Sequence, residues 1–212
     1  MIPIPERGIY LASRSPRRRE LLTQIGVRFH LLLFRERPRG NAPEAQEIDE
    51  TALAGEGAAA YVERMARAKA EAGWRRMLQR NLPPAPVLAA DTTVALDGQI
   101  LGKPRDRAEA AEMLAALAGR RHEVLTGVAL KNHDELDFAL STSEVYLKAM
   151  VPEEIAHYVA SGEGDDKAGA YAIQGRAARF VVELRGSYSG VMGLPLYETS
   201  LLLEKLRGRN SY

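Results

Sequence analysis

The sequence contains no cysteine. Disulfides and thiolate metal sites are thereby excluded, and a reducing compartment suits the chain. No apolar run approaches the ~20 residues that span a bilayer. The N-terminal "MIPIPERG" lacks the apolar core of a secretory signal. An excess of one charge is also missing: 29 Lys+Arg against 28 Asp+Glu leave a formal net charge of +1. No global field draws such a chain to nucleic acid, and no aromatic-basic face supports that partner. The four histidines have no metal-ligand spacing, so His122 and His157 are read as structural. The P-loop pattern is absent as well. What remains is the expectation of a cytoplasmic globular protein with neither nucleic acid nor membrane as partner.

What is present is a 46% hydrophobic chain of 212 residues, enough for one large α/β domain or two small ones. Strand-like runs at Ile9–Ala12, Val27–Phe34 and "VLAADTTVAL" alternate with helical patterns. Asp97-Gly98 is a two-residue hairpin turn that leads into "QILGKP". It sets a register of Leu96 with Gln99, Ala95 with Ile100, Val94 with Leu101, Thr93 with Gly102 and Thr92 with Lys103, so Lys103 returns to within one residue of Asp91. Gly102 and Pro104 disfavour an ideal ladder there and leave the relative facing open. Asp106 with Glu109 reads as a capping box for the next helix. "HEVLTGVALKN" and "ELDFALSTSEVYLKAM" read as antiparallel partners, and Pro152 opens a helix that Gly162 ends. "GDDKAGAYAIQG" and "GSYSGVMGLP" read as loops around a strand "ARFVVEL", before a last helix from Pro195. Residues 35–57 read as a polar loop. No repeat or linker divides the chain, so residues 1–212 are taken as one domain, a mixed sheet with helices on its faces.

Several residues fit a bland fold poorly. In "SRSPRRRELL", Ser15 caps a helix whose first turn carries Arg17, Arg18 and Arg19, where the helix dipole disfavours cations by about 0.3–1 kcal/mol each. Arg18 also falls inside the Leu21/Leu22/Ile25 stripe, with Arg17 at its border. Either Arg18 snorkels over the core edge, or helix amides and guanidiniums face a phosphate, with Ser13 and Ser15 as added donors. Lys69 repeats the anomaly on one helical face with Val62, Met65 and Ala66, and is either a snorkelling edge residue or a cation aimed into a cleft. Asp91 ends the apolar run "VLAA" and is a cap, a buried ion-pair partner, a metal ligand or a general base. Gln174 offers a donor and an acceptor together, as the edge of a uracil or thymine ring requires, although loop glutamines are also common.

Together these segments closely resemble the Maf-like nucleoside triphosphate pyrophosphatases. The resemblance rests on "YLASRSPRRRELL", "IDET", "ARAKAEAG", "AADTTVALDGQILGKPRD", "AAEMLAALAGRRHEVLTGVAL", "DKAGAYAIQG" and "GLP", in the family's order and nearly end to end. "DKAGAYAIQG" is similar to the branch that hydrolyses dTTP and UTP. The resemblance implies an elongated mixed β-sheet flanked by helices, two lobes around a central cleft as in inosine triphosphatases, and a homodimer. It implies Asp91 as proton acceptor, with Lys103, Arg18 and Lys69 in the catalytic lining. Ser13, Arg17, Thr92 and Gln174 would bind substrate. Glu50 and Asp91 would hold a divalent cation, Mg2+ or Mn2+. Two departures stand out: an extra "RERPRGNAPEAQ" before Glu50, and Gly190 where the family often has a larger residue.

The reaction so implied is attack of water on the α-phosphorus of a nucleoside triphosphate, giving the monophosphate and pyrophosphate. Its substrate is dTTP, UTP or a modified pyrimidine nucleotide cleared before misincorporation. Positive charge and positioning dominate such catalysis. The other reading is a nucleotide-responsive regulator of cell division that does not depend on hydrolysis.

Overall fold

A computed structural model describes residues 8–33 and 48–209. The extra segment before Glu50 lies outside the described residues. The chain runs β1 (Ile9–Leu11), α1 (Pro16–Gln24), β2 (Phe29–Leu31), α2 (Ala58–Gln79), β3 (Val87–Leu96), β4 (Gln99–Leu101), α3 (Arg107–Leu117), β5 (Arg121–Asn132) and β6 (Glu135–Leu147). It continues with α4 (Pro152–Ala160), 3-10 turns at Ala168–Ala170 and Arg176–Phe180, β7 (Val181–Arg185), α5 (Tyr188–Met192) and α6 (Leu196–Arg209). The strands form one seven-stranded mixed sheet in the order β2-β1-β3-β5-β6-β7, with β4 also on β3.

The long strand β3 organises the molecule. One edge pairs antiparallel with β5 from Val87 to Ala95. The opposite edge is shared by two short strands. β1 pairs parallel at Val87 and Leu88, and β4 pairs antiparallel at Val94–Leu96. Between them the edge of β3 at residues 89–93 has no strand partner among the described residues. The chain leaving β1 and the chain leaving β4 both emerge at this gap.

Side chains alternate across β3 as a strand requires. Val87 and Ala89 face α2, packing with Ala66, Ala70 and Met77. Leu88 and Ala90 face the opposite side, with Leu21, Leu22, Leu202 and Leu206. Past the gap, Val94 joins a separate cluster with Leu114, Leu117, Tyr158 and Phe180. The helix α2 lies close on the sheet because two glycines permit it. A Cβ on Gly73 would stand 2.7 Å from Val87 Cγ1, and one on Gly127 would stand 2.9 Å from the Val62 carbonyl.

The expected elements form, with three corrections. Among the described residues the second strand is Phe29–Leu31, shorter than the expected run from residue 27, whose last residue, 34, lies outside the described residues. Val27 N–H is drawn back to the Leu22 carbonyl at the end of α1. The run "ARFVVEL" begins as a 3-10 turn, because the Glu163 carboxylate captures Arg176 N–H at 2.8 Å and Ala178 N–H bonds to the Gly175 carbonyl. The stretch read as a loop at 186–195 holds the short helix α5, capped by Ser187 accepting from Gly190 N–H. Asp106 caps α3 as expected, but the Glu109 side chain turns to Arg105 N–H rather than to the cap residue.

Candidate active site

Three chain segments meet at the gap in β3. From β1 the chain passes Ser13 and enters α1. The Ser15 hydroxyl accepts from Arg18 N–H at 3.5 Å, and Ser15 N–H donates to Ser13 Oγ at 3.2 Å. This cap turns Arg18 inward. Its Nε donates to the Gly193 carbonyl at 2.7 Å, Nη1 to Ser13 Oγ at 3.3 Å and Nη2 to Thr92 Oγ1 at 3.2 Å. Arg18 is therefore not a snorkelling residue. Three of a guanidinium's five N–H groups are held by neutral acceptors.

Asp91 points to the other face, toward α2. Lys69 Nζ donates to Asp91 Oδ1 at 2.6 Å and pairs with Glu50 Oε1 at 2.6 Å. One ammonium thus joins two carboxylates from distant segments. Asp91 is buried, whereas Glu50 is half-exposed. The segment carrying Glu50 is pinned to α2 from two points. Tyr61 Oη donates to the Glu50 carbonyl at 2.9 Å, and Arg64 holds both Glu56 (2.6 Å) and the Thr51 carbonyl (3.0 Å).

Lys103 is exposed just past β4. The hairpin register holds through Val94–Leu101 and stops there. The Thr92–Lys103 pairing extended from the turn does not form, because the Gly102 carbonyl accepts from Gly169 N–H at 3.0 Å. That bond lays the 164–170 loop over the end of the hairpin. Gly169, at φ +66°, has no room for a side chain, since a Cβ would be 2.9 Å from Val94 Cγ2.

Electrostatics tie these groups together. Burial pushes the Arg18 guanidinium down from its usual value; Asp91 and Glu50 oppose this and Arg17 adds to it. Arg17 is likewise lowered by burial. For Glu50, partial burial acts upward, but the Lys69 hydrogen bond and the charges of Lys69, Lys103 and Arg18 prevail and hold its carboxyl below the ordinary range. Burial and the Asp91 and Glu50 charges push Tyr61 up to about 12. Lys167, mostly buried and paired with Asp166, is pulled down to about 8 by burial and by the charges of Arg17 and Lys103, against Glu163 and Asp165. Arg18, Lys69 and Lys103 therefore act directly on Asp91 or Glu50, and Arg17 and Lys167 are linked to that group through Arg18 and Lys103.

Gln174 stands apart. It is exposed, and among the described residues its amide makes no hydrogen bond. Its backbone is clamped: Ala172 N–H bonds to Tyr158 Oη at 3.1 Å, and Glu163 packs against Gly175 and holds Arg176 N–H. His122 is buried with Nε2 2.8 Å from Tyr171 Oη, and burial lowers it to about 4, as a structural histidine. His157 borders a surface depression with Lys148 and Arg179 that includes none of the residues above.

The donor set fits a divalent cation. Glu50 and Asp91 each give Lys69 Nζ one oxygen at 2.6 Å, so the second oxygen of each carboxylate is the one left for a metal cation beside the ammonium. Among the described residues no cluster of three acidic or histidine ligands occurs. Two carboxylates are part of the oxygen set that Mg2+ takes, with its other positions open to water or further oxygens.

Residues that sequence reasoning assigned no role include Thr126, Lys167, Tyr61 and Glu163. Lys167 lies within the quoted "DKAGAYAIQG", so a cation in that motif was the available signal.

Residues 8–206 match a family model described as Maf-like protein. A dTTP/UTP pyrophosphatase of Aromatoleum aromaticum is 57% identical over 204 residues, covering 96% of this chain and 97% of that protein. One from Nitrosomonas europaea is 56% identical over 197 residues, covering 93% of each. The solved structure of the Staphylococcus aureus Ham1 protein superposes with a TM-score of 0.50 at 16% identity, covering 95% of this chain and 98% of that one. That likeness shows a shared fold. No helix among the described residues is long and apolar enough to cross a membrane.

Proposed function

Because the chain belongs to the Maf-like family, with its charged residues gathered at the gap in β3, we propose that it hydrolyses dTTP and UTP to the monophosphate and pyrophosphate. One observation carries this reading most. The ammonium of Lys69 joins Asp91 and Glu50; the charges of Arg18 and Lys103 act on Glu50, that of Asp91 acts on Arg18, and Arg17 and Lys167 adjoin this group through Arg18 and Lys103. This density of cations around two carboxylates matches the needs of a triphosphate and its attacking water.

Water attacks the α-phosphorus. Its oxygen forms the new P–O bond, the bond to the bridging oxygen of the β-phosphate breaks, and pyrophosphate leaves. Asp91 receives the proton of the water. Lys69 holds Asp91 Oδ1 and so leaves Oδ2 as the oxygen that orients the nucleophile. Arg18, locked by Gly193, Ser13 and Thr92, keeps one free N–H on each terminal nitrogen for phosphate oxygens. Arg17, Lys103 and Lys167 supply the remaining positive charge. A divalent cation held by Glu50 and Asp91 would offset the charge that builds on the leaving pyrophosphate. Gln174, on its clamped backbone, reads the pyrimidine edge.

The protein acts in the cytoplasm as a homodimer and clears pyrimidine nucleotides, modified ones included, before misincorporation. The test is a panel of normal and modified nucleoside triphosphates, assayed for pyrophosphate with Mg2+ and with Mn2+. Pyrophosphate from dTTP and UTP in preference to purine nucleotides is expected. Nucleotide binding with no pyrophosphate release would favour the regulator instead.

A further inference from the structure

Thr126, on β5, is almost fully buried and pairs in register with Thr92 across the β3–β5 ladder. Its Oγ1 is 2.8 Å from the Gly190 carbonyl and 2.9 Å from Thr92 Oγ1. Chemistry fixes the direction of each bond in this chain. A carbonyl only accepts, so the single hydroxyl hydrogen of Thr126 goes to Gly190. Thr92 must then donate to Thr126. A guanidinium only donates, so Thr92 accepts from Arg18 Nη2. The order is Arg18 to Thr92 to Thr126 to the Gly190 carbonyl.

The far end of this chain returns to Arg18. Gly190 and Gly193 belong to one short turn, α5 and its left-handed cap, and Gly193 accepts from Arg18 Nε at 2.7 Å. The turn fits closely. A Cβ on Gly190 would stand 3.1 Å from Ser187 Cβ and 3.2 Å from Ser141 Oγ, so the family's larger residue at this position would press on both. Gly193, at φ +114°, adopts a backbone conformation that side chains rarely share. Arg18 is thus held twice by the same segment, directly at Nε and through two hydroxyls at Nη2.

We propose that Thr126 is a positioning residue that orients the Arg18 guanidinium through Thr92 and through the Gly190–Gly193 turn. A second consequence concerns Thr92. With its hydrogen committed to Thr126 and one lone pair to Arg18, Thr92 presents only acceptor capacity to the cleft. It cannot donate to a phosphate oxygen. The orientation of Arg18 does not depend on the nucleotide-hydrolysis reading.

The test compares Thr126→Val, which keeps the shape and loses the hydroxyl, with Thr126→Ser, which keeps the hydroxyl. Hydrogen exchange at Arg18 Nε–H, read by NMR on the substrate-free protein, reports the bond to Gly193 without any assay of activity. Exchange should quicken about ten-fold or more in Thr126→Val and stay within about three-fold of wild type in Thr126→Ser. In kinetics, kcat/KM for dTTP should fall about ten-fold or more in Thr126→Val, and the same change on an Arg18→Ala background should add less than about two-fold. Unchanged exchange in Thr126→Val overturns the proposal, as does an equal kinetic loss with and without Arg18. Should Thr126→Val fail to fold, Thr126→Ala, which leaves room for a water on the Gly190 carbonyl, is held to the same outcomes. A wild-type protein that releases no pyrophosphate would sink the functional reading while the exchange measurement still decides the role of Thr126.

Discussion

The two faces of β3 solve the same problem in opposite ways. On the α2 face a cation is neutralised by charge: Lys69 lies between Asp91 and Glu50. On the α5 face every hydrogen bond of the cation goes to a neutral dipole, as Arg18 bonds to a carbonyl and two hydroxyls, with the carboxylates of Asp91 and Glu50 acting only from a distance. Adjacent residues of one strand, Asp91 and Thr92, present these two environments because successive side chains alternate. The difference teaches where free positive charge resides before substrate arrives. Lys69 is already balanced, so it acts on the orientation of the carboxylates. Arg18 keeps its charge unbalanced at contact and is the stronger attractor for an incoming anion.

Removing the acid should have the largest effect. Asp91→Asn should lower kcat for dTTP by about 10²–10⁴-fold, the range of a positioned general base, with nucleotide affinity retained in calorimetry. Full turnover would remove Asp91 from the chemistry. Arg18→Ala should reduce kcat/KM by about 10²–10³-fold, as for loss of a charge-stabilising donor. Its melting temperature should stay near wild type, because no ion pair at contact distance is broken; collapse of the fold would mean that Arg18 is chiefly structural.

Lys69→Met sharpens the contrast through stability. Removing one partner of a buried ion pair costs about 3–5 kcal/mol, and the exposure of Glu50 brings the expectation to the lower end. The pH dependence should also reverse sign. In the wild type the Glu50 pKa is lowered on folding, so its contribution is present above the ordinary carboxylate range and is lost as pH falls through it. In Lys69→Met the two facing carboxylates repel, protonation favours the folded state, and stability should rise on acidification from pH 7 toward 5. Denaturant titrations at the two pH values read this sign directly.

A smaller effect belongs to Lys167, which titrates at about 8 among Arg17, Lys103, Glu163, Asp165 and Asp166. It is cationic below that pH, so the KM for dTTP should rise as pH passes 8, and Lys167→Met should remove that limb of the profile. The smallest change is expected from Gln174→Ala. It should alter the preference for pyrimidine over purine nucleotides by about three- to ten-fold, the worth of a neutral hydrogen bond or two, with little change on bare tripolyphosphate.

Much of the α2 face was legible in the sequence. Lys69 stood out as a charge on an apolar helical stripe, Asp91 as a carboxylate after "VLAA", and the Asp97-Gly98 turn fixed three correct pairs. Arg18 was legible from its helical phase, although its acceptors were not. The position of Lys103 was not, because a residue 67 positions away takes the Gly102 carbonyl and ends the ladder early. Thr126 carried no local signal at all. A threonine in a strand rich in β-branched and aliphatic residues is ordinary, and its meaning comes from a register pairing with Thr92 and a carbonyl 64 residues distant. The 3-10 turn at Arg176–Phe180 was hidden for the same reason, since Glu163 imposes it from another segment.

The most direct test is a crystal structure of Asp91→Asn with dTTP and Mg2+. The triphosphate is expected in the gap of β3, its oxygens on Arg17, Arg18, Lys103 and Lys167, with the thymine edge at Gln174. A nucleotide bound elsewhere, with Arg18 still making only its bonds to Gly193, Ser13 and Thr92, would contradict the account.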